Sequence, residues 1–137
     1  ERFLCDDVFM LVSSEVIKDT KGYDENFFLQ FEEVDWQLRA KKLGYKIYYT
    51  PNAKLWHKVG MTTGGSDSPL RYYHNSRNEL IINKMHGKQK DFASYLFRRI
   101  FLFLPRFIGI NIMKRRYDLI VANLKGLIAG FYFNINN

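Results

Sequence analysis

Three apolar runs of strand length lie in the first 57 residues, and most of the remainder has helical spacing. "VFMLV" (8–12) reads as a short buried strand, and "SSEVIKDT" offers hydroxyl caps for a short helix. "KGYDENFF" is a turn around Gly22 and Asp24. From Glu32 to Leu43 the pattern is helical: Glu32, Glu33 and Asp35 stand in the first turn, Arg39, Lys41 and Lys42 in the last, and Gly44 where a C-terminal cap belongs. "YKIYY" (45–49) reads as a strand broken by Pro51 and Asn52, and "AKLWH" as a further extended piece. "KVGMTTGGSDSP" has the composition of a mobile loop. Ser68 and Pro69 then predict the cap and first position of a long helix ending near Gly87. From Gln89 to Phe133 the chain reads as helices interrupted at Pro105.

Three short strands with intervening helices cannot by themselves make a sheet covered on both faces. They are expected to form the second half of a larger mixed α/β sheet whose first half lies upstream of Glu1. The start of the chain, "ERFLCDDVFMLVSSEVI", has no initiator Met and reads like the interior of a longer protein.

Composition adds a partner class. The 137 residues are 47% hydrophobic and 17% aromatic, which excludes a disordered polyelectrolyte, and the formal charge of +7 favours anionic partners: nucleic acid, a phosphorylated small molecule or an acidic membrane surface. A lone cysteine, Cys5, can form neither an internal disulfide nor a Cys-rich metal knuckle, which points to a reducing compartment.

The acids at 32, 33 and 35 admit two readings. They complement the helix macrodipole, with Asp35 and Arg39 as an i, i+4 pair. Alternatively, one of them is a general base at the mouth of a pocket, its direction fixed by the helix start. A divalent-metal pair Glu33–Asp35 is disfavoured, because successive helical side chains point about 100° apart. His57, at the end of an apolar piece, is either structural or a ligand.

The succession "GYDENFFLQFEEVDWQLRAKKLGYKIYYTPNAKLWH…YYHNSRN" resembles the C-terminal half of a family 2 glycosyltransferase, rhamnosyltransferase-like, over about residues 8 to 85. The resemblance implies an α/β fold: the C-terminal half of a GT-A domain, with a Rossmann-like mixed sheet (1–87), followed by a helical, basic C-terminal extension (88–137). It puts Glu33 at the catalytic-base position, usually Asp, with Glu32 and Asp35 beside it. It puts His57 among the ligands of a divalent metal, Mg²⁺ or Mn²⁺, and Arg77, Asn78, Lys58 and Trp36 among the substrate contacts. The implied reaction is an inverting transfer from a nucleotide sugar to a saccharide or lipid-linked saccharide acceptor. The family's D-x-D pair does not occur in this chain, nor does the Q-x-x-R-W motif of processive synthases. This portion alone is therefore expected to be inactive, and a one-sugar transferase is expected rather than a polymerase.

The tail "YLFRRIFLFLPRFIGINIMKRRYDLI" mixes large apolar residues with Arg98, Arg99, Arg106, Lys114, Arg115 and Arg116, and no charge-free run is long enough to span a bilayer. Two roles suit it: lying in the interface of an anionic membrane at the inner face of the cell membrane, or packing on the sheet or on a second subunit as a homodimer. A non-catalytic basic module for anionic lipid or nucleic acid is the alternative from another class. The chain has no RNA-binding or helix-turn-helix signature, which weighs against nucleic acid.

Overall fold

The computed structural model describes residues 1–6, 8–56 and 67–134. His57, Lys58 and most of the Gly-rich loop that follows lie outside the described residues. The chain forms two compact units, Glu1–Val59 and Gly60–Asn137.

The first unit carries α1 (Ser14–Thr20) and α2 (Glu32–Lys42). Ser13 caps α1, its Oγ accepting from the Val16 N–H. The helix stops at a left-handed Lys21 (φ 60). Gly44, at φ 93, takes the left-handed position just beyond α2. The helices are tied through Thr20, whose hydroxyl donates to the Val16 carbonyl at 2.6 Å and accepts from Trp36 Nε1 at 2.5 Å.

The expected mixed sheet is not formed. Among the described residues there is no β-strand, and Arg2 and Ile47 make an isolated antiparallel bridge through one hydrogen bond of 2.8 Å. The assignment to the C-terminal half of a GT-A, Rossmann-like sheet is thereby corrected to a mostly helical architecture. A strand must hand its N–H and C=O groups to a neighbour. The run 8–12 finds no such neighbour and leaves Phe9 and Leu11 exposed, and Tyr48 and Tyr49 are exposed too. Ahead of that run the backbone is held by a side chain: Gln37 of α2 accepts from Cys5 N–H at 2.8 Å and donates to Cys5 C=O at 2.7 Å.

The second unit carries α3 (Pro69–His86), α4 (Gln89–Arg98), α5 (Leu104–Met113) and α6 (Tyr117–Tyr132). Ser68 caps α3, accepting from Arg71 N–H, and Pro69 opens it, as the sequence predicts. The interruption expected at Pro105 does not occur. Between α4 and α5 the backbone continues through a π-helical turn, Arg99–Phe103, in which Leu104 N–H bonds to the Arg99 carbonyl five residues back. The widened turn lies directly before the proline, where a regular helix would be crowded by its ring. The chain reverses instead after α5, at Arg115 (φ 55).

α3 and α6 are the principal packed pair of this unit. Their backbones touch at Gly126 and Gly130: a Cβ at 126 would lie 2.2 Å from the Tyr73 carbonyl oxygen, and one at 130 would lie 2.6 Å from that of Arg77. Leu80, Ile81 and Leu119 fill the core beside this seam. Asn123 crosses it, donating to Ser76 Oγ at 2.6 Å, and Arg99 Nη2 donates to the same hydroxyl at 3.1 Å.

Candidate functional site

The approach to α2 has unusual backbone. Gln30 (φ 67) and Phe31 (φ 70) are consecutive non-glycine residues in the left-handed region, and no side chain caps the helix they open. Such conformations cost about 1–3 kcal/mol each and persist only where surrounding structure fixes them. They deliver Glu32, Glu33 and Asp35 to the first helical turn, where the positive end of the macrodipole favours carboxylates.

The three acids then part company. Asp35 is fully buried; its Oδ2 accepts from Arg39 Nε at 2.7 Å, the i, i+4 pair the sequence offered. The Arg39 guanidinium also donates to the Thr20 carbonyl and, at 2.8 Å, to that of Gly22. Asp35 thus aims Arg39 at the end of α1, locking the turn at Lys21 and Gly22. Glu33, about 200° around the helix from Asp35, and its neighbour Glu32 are half-buried. Trp36 is buried, its indole spent on Thr20 and set edge-on to Tyr23 with centroids 4.9 Å apart.

The remaining candidates sit elsewhere. Arg77 and Asn78 belong to α3 in the second unit; Arg77 Nη1 donates to Asn78 Oδ1 at 2.7 Å and the guanidinium lies over the Phe133 ring, while Asn78 is fully buried. The next residue of α3, Glu79, has Arg99 Nε at 3.6 Å. Burial and the Glu79 charge push the nearby Tyr95 hydroxyl well above the ordinary phenol range. His57 and Lys58 lie outside the described residues.

Sequence reasoning also passed over a polar pocket of about 220 Å³ in the second unit, lined by Asp67, Tyr72, Asn111, Lys114 and Arg116 among others. Burial, then Asp67, raise the Tyr72 hydroxyl, and Arg116 is held by both oxygens of Asp118 at 3.0 Å. Its residues come from α3, α5, α6 and the segments flanking them, and no short motif marks it. Among the described residues no group of three or more His, Cys, Asp or Glu side chains could hold a metal ion. Among the same residues no helix is long and apolar enough to cross a membrane.

Acids presented at a helix start beside aromatics suit general-base chemistry, a class many folds share. The relatives narrow it. The chain is 24% identical over 136 residues to the dTDP-rhamnosyl transferase RfbF of Shigella flexneri, covering 90% of this chain and 46% of that protein. It is 29% identical over 79 residues to the N-acetylglucosaminyl-diphospho-decaprenol L-rhamnosyltransferase of Mycobacterium tuberculosis, covering 57% of this chain and 26% of that protein. The chain spans less than half the length of these relatives. Their similarity supports, at low identity, a glycosyltransferase role. No family model matches, and no solved structure matches.

Proposed function

We propose that the chain is part of a family 2-like glycosyltransferase that passes a sugar, with inversion, from a nucleotide-sugar donor to a saccharide or lipid-linked saccharide acceptor. A dTDP-rhamnose donor is the first choice. The observation that carries this is the similarity to two rhamnosyltransferases, which for the Shigella protein extends over 90% of the chain and across both compact units.

Glu33 is the base in this reading. Asp35 is consumed by Arg39 and closed to solvent, whereas Glu33 is half-buried at the positive end of α2. Its carboxylate takes the proton of the acceptor hydroxyl as that oxygen bonds to the anomeric carbon, and the nucleoside diphosphate leaves with the electron pair of the broken C–O bond. Glu32 adds a second negative group beside the base. The chemistry also suits a divalent ion, Mg²⁺ or Mn²⁺, at the diphosphate. The described residues supply no ligand cluster for one.

The test is release of dTDP from dTDP-rhamnose, measured on the 137-residue chain and on longer protein that carries it. Glu33→Gln is expected to lower turnover by about 10²–10⁴, the range a positioned general base contributes. Glu32→Gln is expected to cost less. Near-normal turnover in Glu33→Gln with unchanged circular dichroism would remove Glu33 from the role. Absence of release from every dTDP or UDP sugar tried, in the longer protein, would remove the reading itself.

A further inference from the structure

The helical stretch Gln89–Met113 leaves four consecutive large apolar residues exposed: Ile100 (42%), Phe101 (63%), Leu102 (57%) and Phe103 (56%). Consecutive helical positions point in different directions, so these four wrap around the helix and are not a stripe on one side of it. A flat partner would cover one stripe; a helix apolar all round needs an apolar medium on several sides. Phe97, one turn earlier, is also exposed and stacks on Phe101 with centroids 4.9 Å apart.

Charge adds the second constraint. Between Asp91 and Asp118 the chain has six Lys and Arg residues and no acid. Two of the six are occupied, Arg99 by Glu79 and Arg116 by Asp118. Arg98, Arg106, Lys114 and Arg115 are exposed and make no ion pair among the described residues. Arg98 and Arg106 bracket the apolar turn, with side chains long enough to bury their stems while the charged ends reach outward.

We propose that this segment docks on an anionic lipid bilayer: the π-helical turn enters the headgroup and upper acyl region, and Arg98, Arg106, Lys114 and Arg115 engage lipid phosphates. The charge complementarity selects lipid over a neutral apolar partner, and the all-round exposure selects a medium that can close around a helix. Because no described helix is long and apolar enough to span, the segment lies in the interface. This inference stands on the second unit alone and is independent of the transfer reaction.

The test is flotation of the 137-residue chain with vesicles of phosphatidylcholine, alone or with 30% phosphatidylglycerol. The expected result is flotation with the anionic vesicles only, declining as salt is raised. Arg98→Gln with Arg106→Gln should lower the partition coefficient about 30-fold, from about fivefold per cation near such a surface. Phe101→Ser should lower it about tenfold at any salt concentration. These positions are exposed, so circular dichroism should be unchanged in all variants. Recovery at the bottom of the gradient with both vesicle types, or equal flotation with both, overturns the proposal. So does a dimer of this 16.3 kDa chain in light scattering that Phe101→Ser makes monomeric, which would assign the segment to a second copy.

Discussion

Gly126→Ala isolates the contact on which the second unit is built. Alanine is the better helix former by about 1 kcal/mol, so at an unobstructed helical position the change stabilises. Gly109, in α5, is such a position, with nothing within 4 Å of an added Cβ. At 126 the added Cβ would stand 2.2 Å from the Tyr73 carbonyl oxygen, 3.0 Å from its carbon and 3.1 Å from Ser76 Cβ. Two of those three atoms are backbone, so no side chain can swing aside, and α3 must withdraw by about 1 Å to restore a normal contact. A gap of that size forfeits a quarter to a half of the dispersion energy of the atoms along the seam. It also stretches the Asn123–Ser76 hydrogen bond, now 2.6 Å. Overpacking a tight interface costs about 1–3 kcal/mol. Taking the upper end for a backbone clash and subtracting the propensity gain leaves about 2 kcal/mol of destabilisation. For a domain of this size that is a fall in Tm of about 8–16 °C. Thermal unfolding followed by ellipticity at 222 nm, run on wild type, Gly109→Ala and Gly126→Ala, reads the effect directly. A Gly126→Ala protein as stable as wild type, or raised in Tm like Gly109→Ala, would mean that α3 and α6 do not meet at their backbones.

Asp35→Asn should lower stability by about 3 kcal/mol in urea titrations, the low end for breaking a buried ion pair because Arg39 stays 27% exposed; an unchanged midpoint would sever Asp35 from the α1–α2 lock. His74 has its pKa lowered by burial and then by Arg77, so the unfolded chain binds its proton more readily. Stability should therefore fall as pH drops below about 6.5, the unfolded value. His74→Gln should flatten that part of the Tm–pH profile, and an unaltered slope would assign it elsewhere. Glu33→Gln, in contrast to Asp35→Asn, should leave the unfolding free energy within about 0.5 kcal/mol of wild type, as for a surface change, while turnover collapses.

The sequence by itself determined what closes within a turn or two of chain. Ser13 at the start of α1, Ser68 with Pro69 at the start of α3, Gly44 after α2 and the Asp35–Arg39 pair all stand where local chemistry put them. A cap or an i, i+4 pair holds both of its partners within a few residues. The order of short motifs from Gly22 to Asn78 also points to glycosyltransferases, the class to which the similar proteins belong. Tertiary structure decided the rest. Val8–Val12 and Tyr45–Tyr49 have strand composition, but composition names no partner for their backbone groups, and one bridge at Ile47 is all that forms among the described residues. Pro105 reads as a break because one residue shows the ring and not the wide turn before it that makes room. The family resemblance put Trp36 among the substrate contacts, whereas the fold buries it with its N–H donated to Thr20. Gly126 and Gly130 are spaced to lie on one helix face, yet only the fold reveals that the backbone of α3 fills the space their missing side chains leave. Apart from the turn before Pro105, which is local, each of these depends on which distant segment arrives alongside, and that is fixed by the packing of the unit.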